Sequence, residues 1–187
     1  MKRKAHYPLT HTQIKTFTAS SGAQQVSIDS AFLGTIPEKI LIAFVKNTAF
    51  VGSTSTNPFH VQHCDMSNLV LFLNGVQNPS EPLTIDCSST FGAIRAYETL
   101  YSSTGTHHDD RVHMISLEMF RKRFYVLGFY LTPDSEADEE HISLSRQGNV
   151  RIEARLKKQL PEPVTCLLYA EFPGYFEIDY SRNVTLE

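Results

Sequence analysis

Val164-Thr-Cys-Leu-Leu-Tyr-Ala170 has the composition of a β-strand, but its apolar side chains sit at consecutive positions instead of alternate ones. Successive residues of a strand show opposite faces, so such a run calls for burial on both sides of its sheet. Ile40-Leu-Ile-Ala-Phe-Val45 and Phe124-Tyr-Val-Leu-Gly-Phe-Tyr-Leu131 read the same way. A two-sheet sandwich buries only the inner face of each sheet. These three runs therefore predict a further layer over the outside of the domain.

Clear turn signals surround the runs: Ser20-Ser-Gly22, Asn57-Pro58, Asn74-Gly75, Asn78-Pro79, Thr132-Pro-Asp134, Gln147-Gly-Asn149 and Pro161-Glu-Pro163. Between them, strands are predicted near residues 13–19, 24–28, 39–46, 59–64, 69–74, 124–132, 150–156 and 164–172, with a short final strand at 175–179. Two helices interrupt the series. Phe91, Ile94, Tyr97, Leu100 and Tyr101 recur at spacings of three and four and predict one buried helix face, capped by Ser89 or Thr90. Residues 116–123 form a second candidate, with Leu117 and Phe120 inward and Arg121, Lys122 and Arg123 outward.

Both helices fall in the excursion from Asn74 to Phe124, which is too long for a hairpin loop. The pattern predicts an all-β fold, an eight-stranded antiparallel jelly-roll sandwich with a helical insertion between strands. An immunoglobulin-like sandwich is the competitor, but it gives no reason for the helices. One domain over residues 11–181, with tails at 1–10 and 182–187, fits the length of 187.

A formal charge of -3 gives no overall basic field, so nucleic-acid binding by phosphate neutralisation has no compositional support. Met1-Lys-Arg-Lys4 is too short to change that. Cys64, Cys87 and Cys166 are odd in number and outside any C-x-x-C spacing, which predicts buried thiols in place of a disulfide framework or zinc ribbon. No stretch approaches a membrane span and no signal-peptide core is visible, so the expectation is a protein made inside the cell. Asn183-Val-Thr185 matches a glycosylation sequon that then has no secretory context.

The candidate chemistry is sparse. His60, His63 and Cys64 are ligand types, yet His60 and His63 would point to opposite faces of a strand. A cupin-like metalloenzyme would want an H-x-H pair, which is missing. His107-His-Asp-Asp110 lies in a Gly- and Thr-rich loop with no fixed geometry, and Asp134-Ser-Glu-Ala-Asp-Glu-Glu140 lacks the spacing of a calcium loop. There is no nucleophile elbow and no phosphate-cradling glycine loop. The aromatic residues follow the strands and predict packing over base stacking, with Arg121-Lys-Arg123 the one basic exception. No catalytic, cofactor-binding or metal residue is assigned, and the chain is not expected to be an enzyme.

A series of segments in fixed order carries a family resemblance: Lys15-Thr-Phe-Thr18, Phe32-Leu-Gly34, Pro37-Glu-Lys-Ile40, Asn57-Pro-Phe59 with His63, and Leu73-Asn-Gly75. It continues through Arg95-Ala-Tyr97, Gly128-Phe-Tyr-Leu-Thr-Pro-Asp134, Tyr169-Ala-Glu-Phe172 and Glu177-Ile-Asp179. The series resembles the C-terminal half of the double-jelly-roll major capsid proteins, the hexons, of Polinton (Maverick) elements and adintoviruses. That resemblance implies a structural viral protein of the virion, synthesised in the cytoplasm or nucleus of a host cell and working by self-assembly with other capsid proteins. Two barrels would sit side by side and three copies would form a trimeric capsomer. A family member would be about twice as long, so this chain is expected to start near the junction of the barrels. A host-domesticated jelly-roll binding module, lectin-like or cytokine-like, with a site among loops at 102–110, is the alternative.

Overall fold

The computed structural model describes residues 4–89, 91–105, 114–132 and 145–186. Its strands are β1 (Ala5–Ala19), β2 (Gln25–Thr35), β3 (Lys39–Lys46), β4 (Met66–Leu73), β5 (Val76–Thr84), β6 (Leu127–Tyr130), β7 (Gln147–Leu156), β8 (Val164–Ile178) and β9 (Val184–Leu186). The helices are α1 (Asn47–Val51), α2 (Ile94–Ser103), which follows a 3-10 turn at Phe91–Ala93, and α3 (Leu117–Arg123). Every strand pairing is antiparallel. One sheet has the order β1-β8-β3-β6, with β9 added to β8, and the other has the order β2-β7-β4-β5. Strands adjacent in sequence thus fall in opposite sheets, apart from the β4–β5 and β8–β9 hairpins, and the result is the predicted jelly roll with α2 and α3 between β5 and β6.

The core lies between the sheets. Ile40, Ile42, Leu168 and Ala170 meet Leu69, Leu71, Val150 and Ile152, all of them buried. Each fully buried aliphatic side chain of this size contributes about 1.5–3 kcal/mol. Along β3, β4 and β7 burial alternates with a period of two, as strands with one core-facing side require.

Several sequence expectations need correction. Residues 59–64 form no strand: Asn57 Oδ1 accepts from the Phe59 amide at 2.9 Å, Val61 makes only an isolated bridge to Phe124, and Cys64 and Asp65 adopt left-handed backbone. Phe and Val there suit a strand, but the segment crosses the end of β3 without running beside a partner. The missing strand is β5, whose Pro79 and Pro82 look like breaks in sequence. It is an end strand, where an absent N–H can face outward without cost to the ladder. The predicted strand at 175–179 is the continuation of β8, which runs unbroken through Pro173 and Gly174 because β1 pairs with it from Ala5↔Ile178 to Ala19↔Val164. β1 therefore opens at Ala5, within the stretch read as a tail, and β9 lies within the other.

Asn74, with φ 53°, and Gly75, with φ 82°, make the tight β4–β5 turn. Asn74 Oδ1 also accepts from the Asn149 amide at 2.8 Å, which fastens this turn to the start of β7. A Cβ on Gly148 would stand 2.2 Å from Asn74 Oδ1, so that position needs glycine for a close approach.

Candidate functional site

All three doubly apolar runs fall in the same sheet, on the adjacent strands β8, β3 and β6. Their inner residues fill the core. Their outer residues form cross-strand rows: Ile14 beside Tyr169, then Leu41, then Gly128; and Thr16 beside Leu167, then Ala43. Leu41, Ala43, Leu167 and Tyr169 are half-buried, and Ile14 is 69% exposed. Lys39 and Glu171, paired at 2.8 Å, border this face, and Tyr169 Oη donates to Glu171 at 2.8 Å.

The outer face of the other sheet is different. β7 presents Arg151, Glu153 and Arg155, with Ser27 of β2 and Asn68 and Phe72 of β4 beside them. Arg151 bonds Glu153 and Asp29, and its guanidinium lies 5.3 Å from the Phe72 ring centroid. One sheet therefore shows charge to solvent while the other carries an apolar stripe.

Part of that stripe is covered by α2, which packs on β6 and closes its free edge, since the Gly128 amide donates to Thr99 Oγ1 at 3.4 Å. The helix is present where predicted, and Ser89 Oγ accepts from the Gly92 amide at the start of its 3-10 turn. The buried face is only partly the one expected, since Leu100 is buried and Tyr97 packs against the core as predicted. Ala93, Ala96, Leu100 and Ser103 point inward, while Phe91 is 84% exposed and Ile94 is 42% exposed. The backbones approach so closely that a Cβ on Gly128 would lie 1.7 Å from Ser103 Oγ. Only small side chains fit that contact, and Phe91 and Ile94 turn outward. α3 follows its sequence pattern except at Arg121: Ser116 Oγ accepts from the Met119 amide, Phe120 is buried and Lys122 pairs with Glu118 in solvent, but Arg121, predicted outward, is half-buried and donates to the Cys87 carbonyl at 3.3 Å.

The residues of the weighed chemistry lie around a cavity of about 630 Å³ lined by His60, His63, Cys64, Cys87 and Arg121 among others. His60 Nε2 is 3.0 Å from the Lys122 carbonyl, and His63 Nδ1 accepts from the Asp65 amide at 2.9 Å, so both rings are already engaged. Burial lowers the His63 pKa, against the opposing pull of Asp65. Burial pushes the Cys64 thiol up to about 12 and raises Cys87 as well, so these are protonated thiols at neutral pH and weak nucleophiles. Among the described residues, no three His, Cys, Asp or Glu side chains group as a metal site. His107–Asp110 and the acidic stretch at 134–140 lie outside the described residues.

Beside this cavity, Lys157 donates to Asp86, and with the Ser88 hydroxyl and amide it draws the Asp86 carboxyl down from 3.8 to about 2. A depressed carboxyl stabilises the fold above its unfolded pKa and stops doing so as pH falls through the folded value. The thermal midpoint is thus expected to fall between about pH 4 and pH 2, and to fall less in Asp86→Asn. An identical acid profile in the variant would remove Asp86 from the cause.

No family model matches the sequence. A chain in the structure of the Sputnik virophage is similar to this one with a TM-score of 0.60 at 12% identity, covering 98% of this chain and 39% of its own length. PBCV-1 VP54 is similar with a TM-score of 0.56 at 11% identity over 98% of this chain and 51% of that one, and a chain of the PBCV-1 virus capsid with 0.51 at 9%. This chain shares its fold with viral capsid chains. The jelly roll spans about two-fifths of the Sputnik chain and 42% of an uncharacterized protein of Caenorhabditis elegans, to which it is 28% identical over 180 residues. Sequence reading missed one residue of the apolar face, Ile14, which lies outside the three runs. The signal for Ile14 was its opposite parity to Phe17 within one strand.

Among the described residues, no helix is long and apolar enough to cross a membrane.

Proposed function

We propose that this chain is a structural jelly-roll domain of a capsid-type shell, non-catalytic, which acts by self-assembly through the outer face of its β1-β8-β3-β6 sheet. The carrying observation is the difference between the two sheets. Ile14, Leu41, Ala43, Leu167 and Tyr169 make one outside apolar, whereas Arg151, Glu153 and Arg155 make the other wet. A contiguous apolar sheet face of this kind marks an interaction site. The fold it shares with viral capsid chains supports a packing partner of the same architecture. The finer reading is the C-terminal barrel of a double-jelly-roll major capsid protein of the Polinton and adintovirus kind, with residues 11–181 as one domain. Its apolar face would meet a companion barrel, three such subunits would form a capsomer, and the product would reside in the virion.

The test is light scattering coupled to size exclusion, together with electron microscopy of particles. Ile14→Lys is expected to weaken association at least about tenfold, the scale of losing one buried aliphatic anchor. Because Ile14 is exposed in the single chain, its thermal midpoint should stay within roughly 2 °C of the parent. Association unchanged in Ile14→Lys would show that another surface is used. A parent chain that stays monomeric up to about 1 mM, alone and with a companion barrel, would end the assembly reading.

A further inference from the structure

β1 and β2 are the end strands of their sheets, with β1 bonded only to β8 and β2 only to β7. Among the described residues each keeps one unpaired edge, and the two edges come together where Lys15 Nζ lies 4.8 Å from the centroid of the Phe32 ring. A cleft of about 700 Å³ opens there, a size typical of ligand sites. Its floor is aromatic, since Phe32 meets Phe172 edge-on at 5.6 Å and His11 stacks on Phe172 at 5.1 Å. Leu33 stands exposed on its rim, and Gln13 and Lys15 enter from β1.

The charge is one-sided. Among the described residues no Asp or Glu lines the cleft, and none pairs with Lys15. An ammonium has three N–H donors, and the face of Phe32 accepts none of them as a conventional hydrogen bond. A half-buried cation over an apolar floor, beside strand edges with unused N–H and C=O groups, fits an occupant with three properties. It carries a carboxylate, it carries an apolar side chain, and it has a main chain of its own to bond.

We propose that this cleft binds an extended segment of another polypeptide, with a carboxylate at Lys15, an aromatic side chain over Phe32 and Leu33, and its main chain paired to a free strand edge. A small anionic amphiphile would satisfy Lys15 and the floor but leave both edges unused, which is why the geometry favours a peptide. The site is separate from the outer face of the β1-β8-β3-β6 sheet and does not depend on what that face assembles with.

The probe is the fluorescein-labelled peptide Thr-Asp-Thr-Phe-Thr-Asp-Thr, whose Asp and Phe share one face when extended, titrated with the whole chain by fluorescence polarisation. Saturable binding tighter than roughly 1 mM is expected, weakened at least about tenfold by Lys15→Glu. Lys15→Met keeps the stem on Phe32 without the charge and should show the same loss, with circular dichroism confirming that each variant is folded. A peptide with N-methyl groups at its Thr nitrogens should bind more weakly than the parent peptide, and one with Lys in place of Asp should not bind.

No saturation by the acidic peptide would overturn the proposal. So would equal binding of the Lys peptide or of the methylated one, or displacement of the label by oleate at lower concentration than by unlabelled peptide. An inward lysine can also serve merely to keep strands from adding to an edge. In that case Lys15→Met would bind the peptide as tightly as the parent or more tightly, and the proposal would fail.

Discussion

Gly128→Ala is expected to destabilise the protein by about 3 kcal/mol, the upper range for overpacking, and to lower the thermal midpoint by roughly 6–12 °C in a chain of this size. The added methyl would stand 1.7 Å from Ser103 Oγ, 2.4 Å from Ser103 Cβ and 2.9 Å from Leu41 Cδ2. None of these neighbours is the free end of a flexible surface side chain. Ser103 is buried on the inward face of α2, and Leu41 lies in the cross-strand row. The helix must therefore lift from β6, and the Gly128 amide then loses Thr99 Oγ1. The double variant Gly128→Ala, Ser103→Gly removes two of the three contacts and should recover a large part of the loss. Thermal unfolding by circular dichroism measures both. A midpoint within about 1 °C of the parent would mean that α2 does not sit on Gly128.

Phe120→Ala should cost about 3–5 kcal/mol, as truncation of a fully buried aromatic residue does. Phe120 is completely buried, with its ring 4.5 Å from Tyr125 and 5.2 Å from Tyr97 between centroids. It is the one residue of α3 that is fully buried, so its loss releases that helix and removes the ring contact between α3 and Tyr97 of α2. Near-ultraviolet circular dichroism should lose much of its tyrosine signal along with the drop in stability. Phe120→Leu, which leaves a smaller cavity, should retain over half of the lost stability. Equal stability of Phe120→Ala and the parent would contradict the packing between α2 and α3.

How far the amino-acid pattern revealed this molecule depended on which forces act locally. β3 was legible to its last residue because its inner face, Ile40, Ile42 and Phe44, alternates between turns. The doubly apolar runs correctly announced covered outer faces, and all three proved to be in one sheet. What they could not announce was the depth of cover, which leaves Leu41, Ala43, Leu167 and Tyr169 half-buried. The face of α2 was misread because periodicity weighs size as hydrophobicity, while the true constraint was a backbone approach at Gly128 that admits only small side chains. β5 was missed because its prolines look prohibitive until the strand is known to be at an edge. The first half of β1 was invisible for a different reason. Its exposed residues are ordered by β8 across the pairing, and nothing in their own spacing records that partner.

The cleft was missed for a similar reason. Lys15 and Phe32 are far apart in sequence, and their meeting depends on two end strands of different sheets lying side by side. His60, His63 and Cys64 were conspicuous in sequence, and the structure holds the two rings on main-chain partners and buries the thiol.

The unlike outsides of the two sheets also limit how copies can be arranged. A column in which each domain lays its apolar sheet on the charged sheet of the next would strip water from Arg151, Glu153 and Arg155 and offer Ile14 and Leu167 in return. Desolvated charges facing aliphatic groups are costly, so an open-ended stack is disfavoured by chemistry alone. Like must meet like across the dry side, and each such meeting uses that side up. The sidedness of the barrel thus acts as a stop signal for growth in one direction, leaving the loops and strand edges to govern extension within a layer.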